Sequence, residues 1–182
     1  MKNRGRGSKA KGAAFERQIC QALSLWITAD KKTDCFWRSA MSGGRATVGR
    51  KRGRDHSRQA GDICAIAPEG HRLTDKYYIE CKFYRDLNFG AFLFGAGPLA
   101  AFWRKTVEEA GHYSRDPLLI ARQNRGPIVL LSAHAFGDYA TTPSIPPIAI
   151  IYADNLIHPV AHIYLFSAIM HGECSIEEGS KS

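Results

Sequence analysis

The chain has no apolar run approaching the roughly 18 residues that a membrane-crossing helix needs, and its opening segment, Met1-Lys2-Asn3-Arg4-Gly5-Arg6, leads into no apolar stretch of the kind a secretory signal carries. Membrane insertion and secretion therefore lack support, and a cytoplasmic location is expected. Cysteine offers no scaffold either: Cys20, Cys35, Cys64, Cys81 and Cys174 are odd in number, scattered and never paired at C-x-x-C spacing. This argues against a disulfide framework and a zinc ribbon, and leaves most of them as small buried hydrophobes. Internal repeats are lacking as well. With 182 residues, 45% of them hydrophobic, the chain can build one good core and not comfortably two.

What the chain has is positive charge, unevenly placed. Residues 1–58 hold 15 Lys/Arg against 4 Asp/Glu, a net +11, whereas residues 59–182 hold 10 against 13, a net −3. Solubility alone does not require such segregation. The asymmetry favours a polyanionic partner bound by the N-terminal third, with an affinity that falls steeply with salt.

Residues 1–9 alternate Lys/Arg with Gly, Asn and Ser and have no apolar period, which reads as a disordered basic arm. A single domain is expected over 10–171, with 172–182 a polar, frayed tail. From about Ala10 to Ile27, Phe15, Ile19, Ala22, Leu23 and Trp26 fall at helical spacing. Glu16 points into that stripe, between Leu23 and Ile27, an unexpected place for a carboxylate. A turn at 30–34 precedes a short strand, Cys35-Phe36-Trp37-Arg38. The long loop 39–60 then combines Ser39, Ser42 and several glycines with Arg45 and the run Arg50-Lys51-Arg52-Gly53-Arg54. Glycines let backbone approach a ligand, and arginine forks match phosphate oxygens.

A second strand is expected from Asp62 to about Ala67, a turn at Pro68-Glu69-Gly70, and a third strand from Tyr77 to about Tyr84, together a hairpin. The stretch Phe89–Gly97 reads as an apolar, glycine-rich loop, and Pro98 suits the first turn of a second helix carrying Leu99, Trp103, Val107, Ala110 and Tyr113. Buried-strand runs follow at 118–121 and 127–131, with two further candidates at 148–152 and 163–166.

The chemistry concentrates in Gly61-Asp62 and Ile79-Glu80-Cys81-Lys82. Alternation along a strand puts Glu80 and Lys82 on one face, about 7 Å apart, and sends Ile79, Cys81 and Phe83 to the other. Asp62 and Glu80 can offer a divalent cation the hard oxygens it prefers, and Lys82 projects a positive charge into the same space. Each part alone is weak, since Glu-x-Lys is also a common exposed ion pair and Gly-Asp a common turn into a strand. Their conjunction, in this order and on these elements, carries the weight.

Taken together, Lys11-Gly12-Ala13-Ala14-Phe15-Glu16-Arg17, Arg38-Ser39-Ala40-Met41-Ser42-Gly43-Gly44, Gly61-Asp62-Ile63 and Ile79-Glu80-Cys81-Lys82 resemble the PD-(D/E)xK nuclease superfamily. Within it, the closest likeness is to archaeal and phage Holliday-junction resolvases, over about residues 8–125. Two departures stand out: Gly61 replaces the usual proline, and Arg45–Arg58 is an insertion. The resemblance implies an α/β, restriction-endonuclease-like core of order αβββαβ, with a central mixed sheet flanked by helices. It also implies a Mg²⁺-dependent endodeoxyribonuclease, with Mn²⁺ substituting, that leaves a 5′-phosphate. Asp62, Glu80 and the Cys81 carbonyl would hold the metal, Glu16 would complete the shell directly or through water, and Lys82 would orient the attacking water or stabilise the developing charge. Ser39 or Ser42 would sit near the phosphate, and Arg45, Arg50, Lys51, Arg52 and Arg54 would contact DNA, probed as a branched substrate by a C2 homodimer.

Three other readings compete. One is a superfamily nuclease acting on linear DNA in restriction or repair, and another is a basic nucleic-acid-binding module without catalysis. The third is a zinc site from His158, His162, His171 and Cys174, opposed by Pro159 and the strand-like context after it. Phe89, Phe92 and Phe94 could form a wedge at opened DNA or a subunit patch, with core packing the favoured account.

Overall fold

A computed structural model describes residues 4–39, 60–136, 147–152 and 160–171. The elements along the chain are α1 (Arg4–Ile27), β1 (Phe36–Arg38), β2 (Ile63–Ala65), α2 (Pro68–Lys76), β3 (Tyr77–Tyr84), α3 (Phe89–Phe92), α4 (Gly97–Gly111), β4 (Asp116–Gln123), β5 (Ile128–Ser132), β6 (Ala149–Tyr152), β7 (Val160–Leu165) and α5 (Phe166–His171). They form a five-stranded mixed sheet of order β3-β4-β5-β7-β6 and a separate antiparallel ribbon, β1-β2. β3 and β4 run parallel, joined by α4 as a crossover, and the other neighbours are antiparallel.

The sheet is covered on both faces, the architecture of the α/β class. Under α1 and α5, Phe15, Ile19 and Leu23 pack on Ile79, Cys81, Leu118 and Ile120. Under α4, Leu99, Ala100 and Trp103 pack on Leu119, Ala121 and Leu131. Each fully buried Leu, Ile or Phe contributes about 1.5–3 kcal/mol of transfer free energy, so the α1 stripe alone is a sufficient reason for that helix to dock. The expected helix, αβββαβ order and mixed sheet are all present.

Four expectations change. First, α1 begins at Arg4, so it takes in most of the segment read as a disordered basic arm. Lys9 and Lys11 continue a helical turn once Phe15 and Ile19 anchor it. Second, the hairpin is absent: Pro68 and Glu69 open helix α2, with Pro in its first turn and Gly70, Leu73 and Thr74 buried. Proline followed by an acidic residue suits a helix start as well as a turn. Gly70 is needed there, since a Cβ would lie 2.9 Å from the Cys35 carbonyl oxygen and 3.0 Å from Phe36. Third, β2 pairs with β1, Ile63 opposite Arg38, and not with β3. Fourth, Phe89–Phe92 forms a short helix capped by the Asn88 side chain, and Phe166 opens α5 where a strand end was expected.

A buried serine ties α1 to β1. Ser24 Oγ donates to the Cys20 carbonyl at 2.8 Å and accepts from the Cys35 and Phe36 amides at 3.0 and 3.2 Å. The hydroxyl thus satisfies two backbone donors at the entry of β1 that water cannot reach.

Candidate active site

Strand β3 is the edge of the five-stranded sheet, and its free side is taken by the turn at Gly61-Asp62. The Asp62 amide donates to the Ile79 carbonyl at 2.8 Å, and the Cys81 amide donates to Asp62 Oδ2 at 3.0 Å. Asp62 in turn accepts, through its own carbonyl, the Ser39 amide at 2.8 Å. This stitch explains the departure at position 61. Gly61 has φ +84°, and a Cβ on it would stand 2.5 Å from the Ile79 oxygen. Proline, fixed near −65°, cannot make this turn; glycine can.

Side chains on β3 alternate as expected. Ile79, Cys81 and Phe83 face the α1 core, and Phe15 meets Phe83 edge-on at 5.9 Å. Glu80 and Lys82 share the α4 face. There Lys82 Nζ bonds Glu80 Oε1 and lies 4.0 Å from Asp62 Oδ2, while 6.0 Å separates it from the centre of the Phe102 ring. Asp62, Glu80 and Lys82 therefore converge.

The electrostatics follow from two acids and one cation at a partly dry site. Burial, reinforced by Glu80, pushes the Asp62 carboxyl from 3.8 up to about 7, against the pull of Lys82 and the Cys81 amide. Burial also works against the Lys82 ammonium, but Glu80 and Asp62 outweigh it and hold its pKa above the usual lysine value. The Cys81 thiol, fully enclosed, is pushed well up and is inert as a nucleophile.

Glu16 stands apart from this group. It reaches from α1 to Arg38 on β1, Nε to Oε2 at 2.5 Å, and neither partner is fully exposed. Its charge still contributes to raising the Asp62 pKa, so it belongs to the same field. Ser39 is buried and described; Ser42, Arg45, Arg50, Lys51, Arg52 and Arg54 lie outside the described residues. Arg38 is placed by the sequence at the end of a strand and at the start of the Arg38–Gly44 motif, without a site role. Its register opposite Ile63, one residue from Asp62, is the signal that identifies it, and that pairing is visible only once β1 and β2 meet.

The donor set fits a divalent cation of the hard, oxygen-seeking kind. Two carboxylates share one lysine ammonium, which bonds Glu80 and lies 4.0 Å from Asp62, so the group holds two acids to one cation. The Cys81 amide points off the free edge of β3 to Asp62, and strand geometry sends the carbonyl of the same residue to that edge as well. Among the described residues no group of three or more His, Cys, Asp or Glu side chains is placed to hold a metal ion, so the side-chain donors available at the cluster are the two carboxylates of Asp62 and Glu80. Of the zinc candidates, His162 lies on strand β7, where four-residue spacing does not bring side chains together as on a helix.

A helix-borne glutamate, an aspartate stitched to an edge strand and a Glu-x-Lys step on that strand, set on a mixed sheet flanked by helices, define a nuclease of the PD-(D/E)xK superfamily. A family model described as "Phage putative PDDEXK endonuclease" matches residues 7–155, and the chain belongs to that family. No curated protein and no solved structure matches it. Among the described residues, no helix is long and apolar enough to cross a membrane.

Proposed function

We propose that the protein is a Mg²⁺-dependent endodeoxyribonuclease that hydrolyses phosphodiester bonds at the Asp62–Glu80–Lys82 cluster, with a preference for branched DNA. The carrying observation is the convergence of these three side chains, Glu80 and Lys82 from the α4 face of β3 and Asp62 from the turn along its edge. Mg²⁺ or Mn²⁺ would be held by Asp62, Glu80 and the Cys81 carbonyl and would supply Lewis-acid polarisation of the phosphate and a more acidic water. Lys82, kept protonated by its two acidic neighbours, places a compact positive charge where the phosphorane oxygens develop theirs. Glu16, paired with Arg38, adds negative field at Asp62 from the α1 side and would join the metal shell only through water. The stitch from Asp62 to Ile79 and Cys81 fixes the carboxylate before substrate arrives, so little reorganisation is left for the reacting step.

Preference for branched DNA and action as a homodimer rest on the likeness to junction resolvases and on the basic N-terminal third. The test is incubation with Mg²⁺ and a panel of four-way junction, flap and linear duplex DNAs, with Lys82→Ala and Asp62→Asn as controls. Cleavage concentrated on branched forms and lost in both variants is expected. Equal cleavage of all forms removes the branch preference. Cleavage that survives Lys82→Ala removes the site, and DNA binding without any cleavage leaves a basic binding module.

A further inference from the structure

The exposure of side chains along β3 shows which way the site opens. The side chains of Asp62 and Glu80 are each 12% exposed and that of Lys82 27%, while Tyr84, two residues further on the same face, is 46% exposed. The cluster is therefore closed at its Asp62 end and open at its Tyr84 end. Tyr84 does not hang loose at that mouth. Its ring meets Phe102 edge-on, with centroids 5.3 Å apart, and the same Phe102 ring lies 6.0 Å from Lys82 Nζ. Lys82, Phe102 and Tyr84 form one connected wall that runs from the ammonium to solvent.

We propose that Tyr84 is a stacking platform for the nucleobase that adjoins the phosphate held at Asp62, Glu80 and Lys82, a reading that rests on the function proposed above. Tyr84 lies about 7 Å beyond Lys82 along the strand, a span one nucleotide covers. The near-perpendicular contact with Phe102, 77° between the ring planes, holds the ring without a stacked neighbour there, and Tyr84 remains 46% exposed. An aromatic face held in place beside a phosphate site is the element that single-stranded nucleic-acid binders use for sequence-tolerant grip. Inside an intact duplex each base is already stacked on both sides, so it has no face to offer. A base at a branch or an end has one. Tyr84 thereby converts a phosphate site with no shape preference into one that favours DNA with an unstacked base next to the cut.

The experiment uses the full chain carrying Glu80→Gln to prevent turnover, with flap DNA bearing 5-iododeoxyuridine at the branch nucleotides and an intact duplex of the same sequence. Ultraviolet crosslinking should map to Tyr84 on the flap, persist in Tyr84→Phe and vanish in Tyr84→Leu, which keeps an apolar contact for Phe102. Tyr84→Leu should also weaken flap binding by about tenfold or more while changing duplex binding less than twofold, with an unchanged melting curve. A crosslink elsewhere, equal losses on both DNAs, or no loss in Tyr84→Leu overturns the platform. If crosslinking maps to Tyr84 but the unmodified chain cleaves nothing with Mg²⁺, the platform stands and the hydrolase reading falls.

Discussion

Asp62 answers two opposed demands. Ionised, it can hold a cation; buried beside Glu80, it resists ionisation. Because its folded pKa of about 7 lies above the ordinary 3.8, the folded state binds the proton more tightly than the unfolded chain. Metal-free stability should therefore fall as pH rises between about 4 and 7, with the full cost present above pH 7. Asn at this position does not titrate and can still accept the Cys81 amide. Asp62→Asn should make the metal-free protein more stable at pH 8 by about 1–3 kcal/mol, with the gap closing toward pH 4, as denaturant melts at several pH values would show. Mg²⁺ should offset the cost in the native sequence, adding about 2.7 kcal/mol at a hundred times its Kd, and should add nothing in the Asn variant. A site that stabilises the fold when its acid is removed is one kept for chemistry.

Gly61 supplies the opposite lesson at the neighbouring position. Gly61→Ala forces a Cβ to within 2.5 Å of the Ile79 oxygen at a positive φ, and neither backbone has freedom to move without losing the Asp62 stitch. The expected loss is about 2–4 kcal/mol, a fall in Tm of roughly 5–15 °C for a chain of this length, with DNA cleavage reduced beyond what the residual folded fraction explains. Calorimetry and a cleavage assay on the folded population separate the two effects.

At the scale of elements, α1 is positioned by two polar contacts as well as by its apolar stripe: Ser24 to the entry of β1, and Glu16 to Arg38 at its exit. Ser24→Ala would leave the Cys35 and Phe36 amides buried without an acceptor, and should cost about 1–3 kcal/mol. If α1 orients the site, the melting transition should drop by a few degrees and the KM for DNA should rise.

The same contacts explain what could and could not be read from the chain. β3 was legible over Tyr77 to Tyr84 because Ile79, Cys81 and Phe83 alternate with Glu80 and Lys82, a period of two written directly into the sequence. The same alternation made the Glu-x-Lys face legible, whereas the α1 stripe was legible from its helical spacing and the first turn of α4 from Pro98. Helix α2 was not, because Pro68-Glu69-Gly70 suits a turn and a helix start equally, and only the burial of Leu73 against the α1 core decides. The Asp62 stitch was legible in its residues but not in its geometry, since the expected β2–β3 ladder is replaced by two hydrogen bonds around Gly61. Nor was the Glu16–Arg38 pair, whose members lie 22 residues apart and meet only when α1 packs beside β1.

At the scale of the whole molecule, charge and chemistry are segregated along the chain. The cluster at β3 carries excess negative charge, while residues 1–58 carry a net +11. An acidic metal site repels a phosphate backbone until a cation is bound, so the attraction that brings DNA in must come from elsewhere, and the N-terminal third is the source. Arg50, Lys51, Arg52 and Arg54 lie outside the described residues, and their expected role follows from charge alone. Replacing all four with Gln should weaken binding to junction, flap and linear DNA to a similar degree, since phosphate contacts carry no shape or base information. The slope of log K against log salt should fall in magnitude by about 3 to 4, near 0.9 for each lost contact. Cleavage at saturating DNA should persist, because none of the four belongs to the cluster on β3. Titrations at four or five salt concentrations measure the slope. An unchanged slope would move the DNA-binding charge to other basic residues of the N-terminal third, Lys9, Lys11 and Arg17 on α1 first among them.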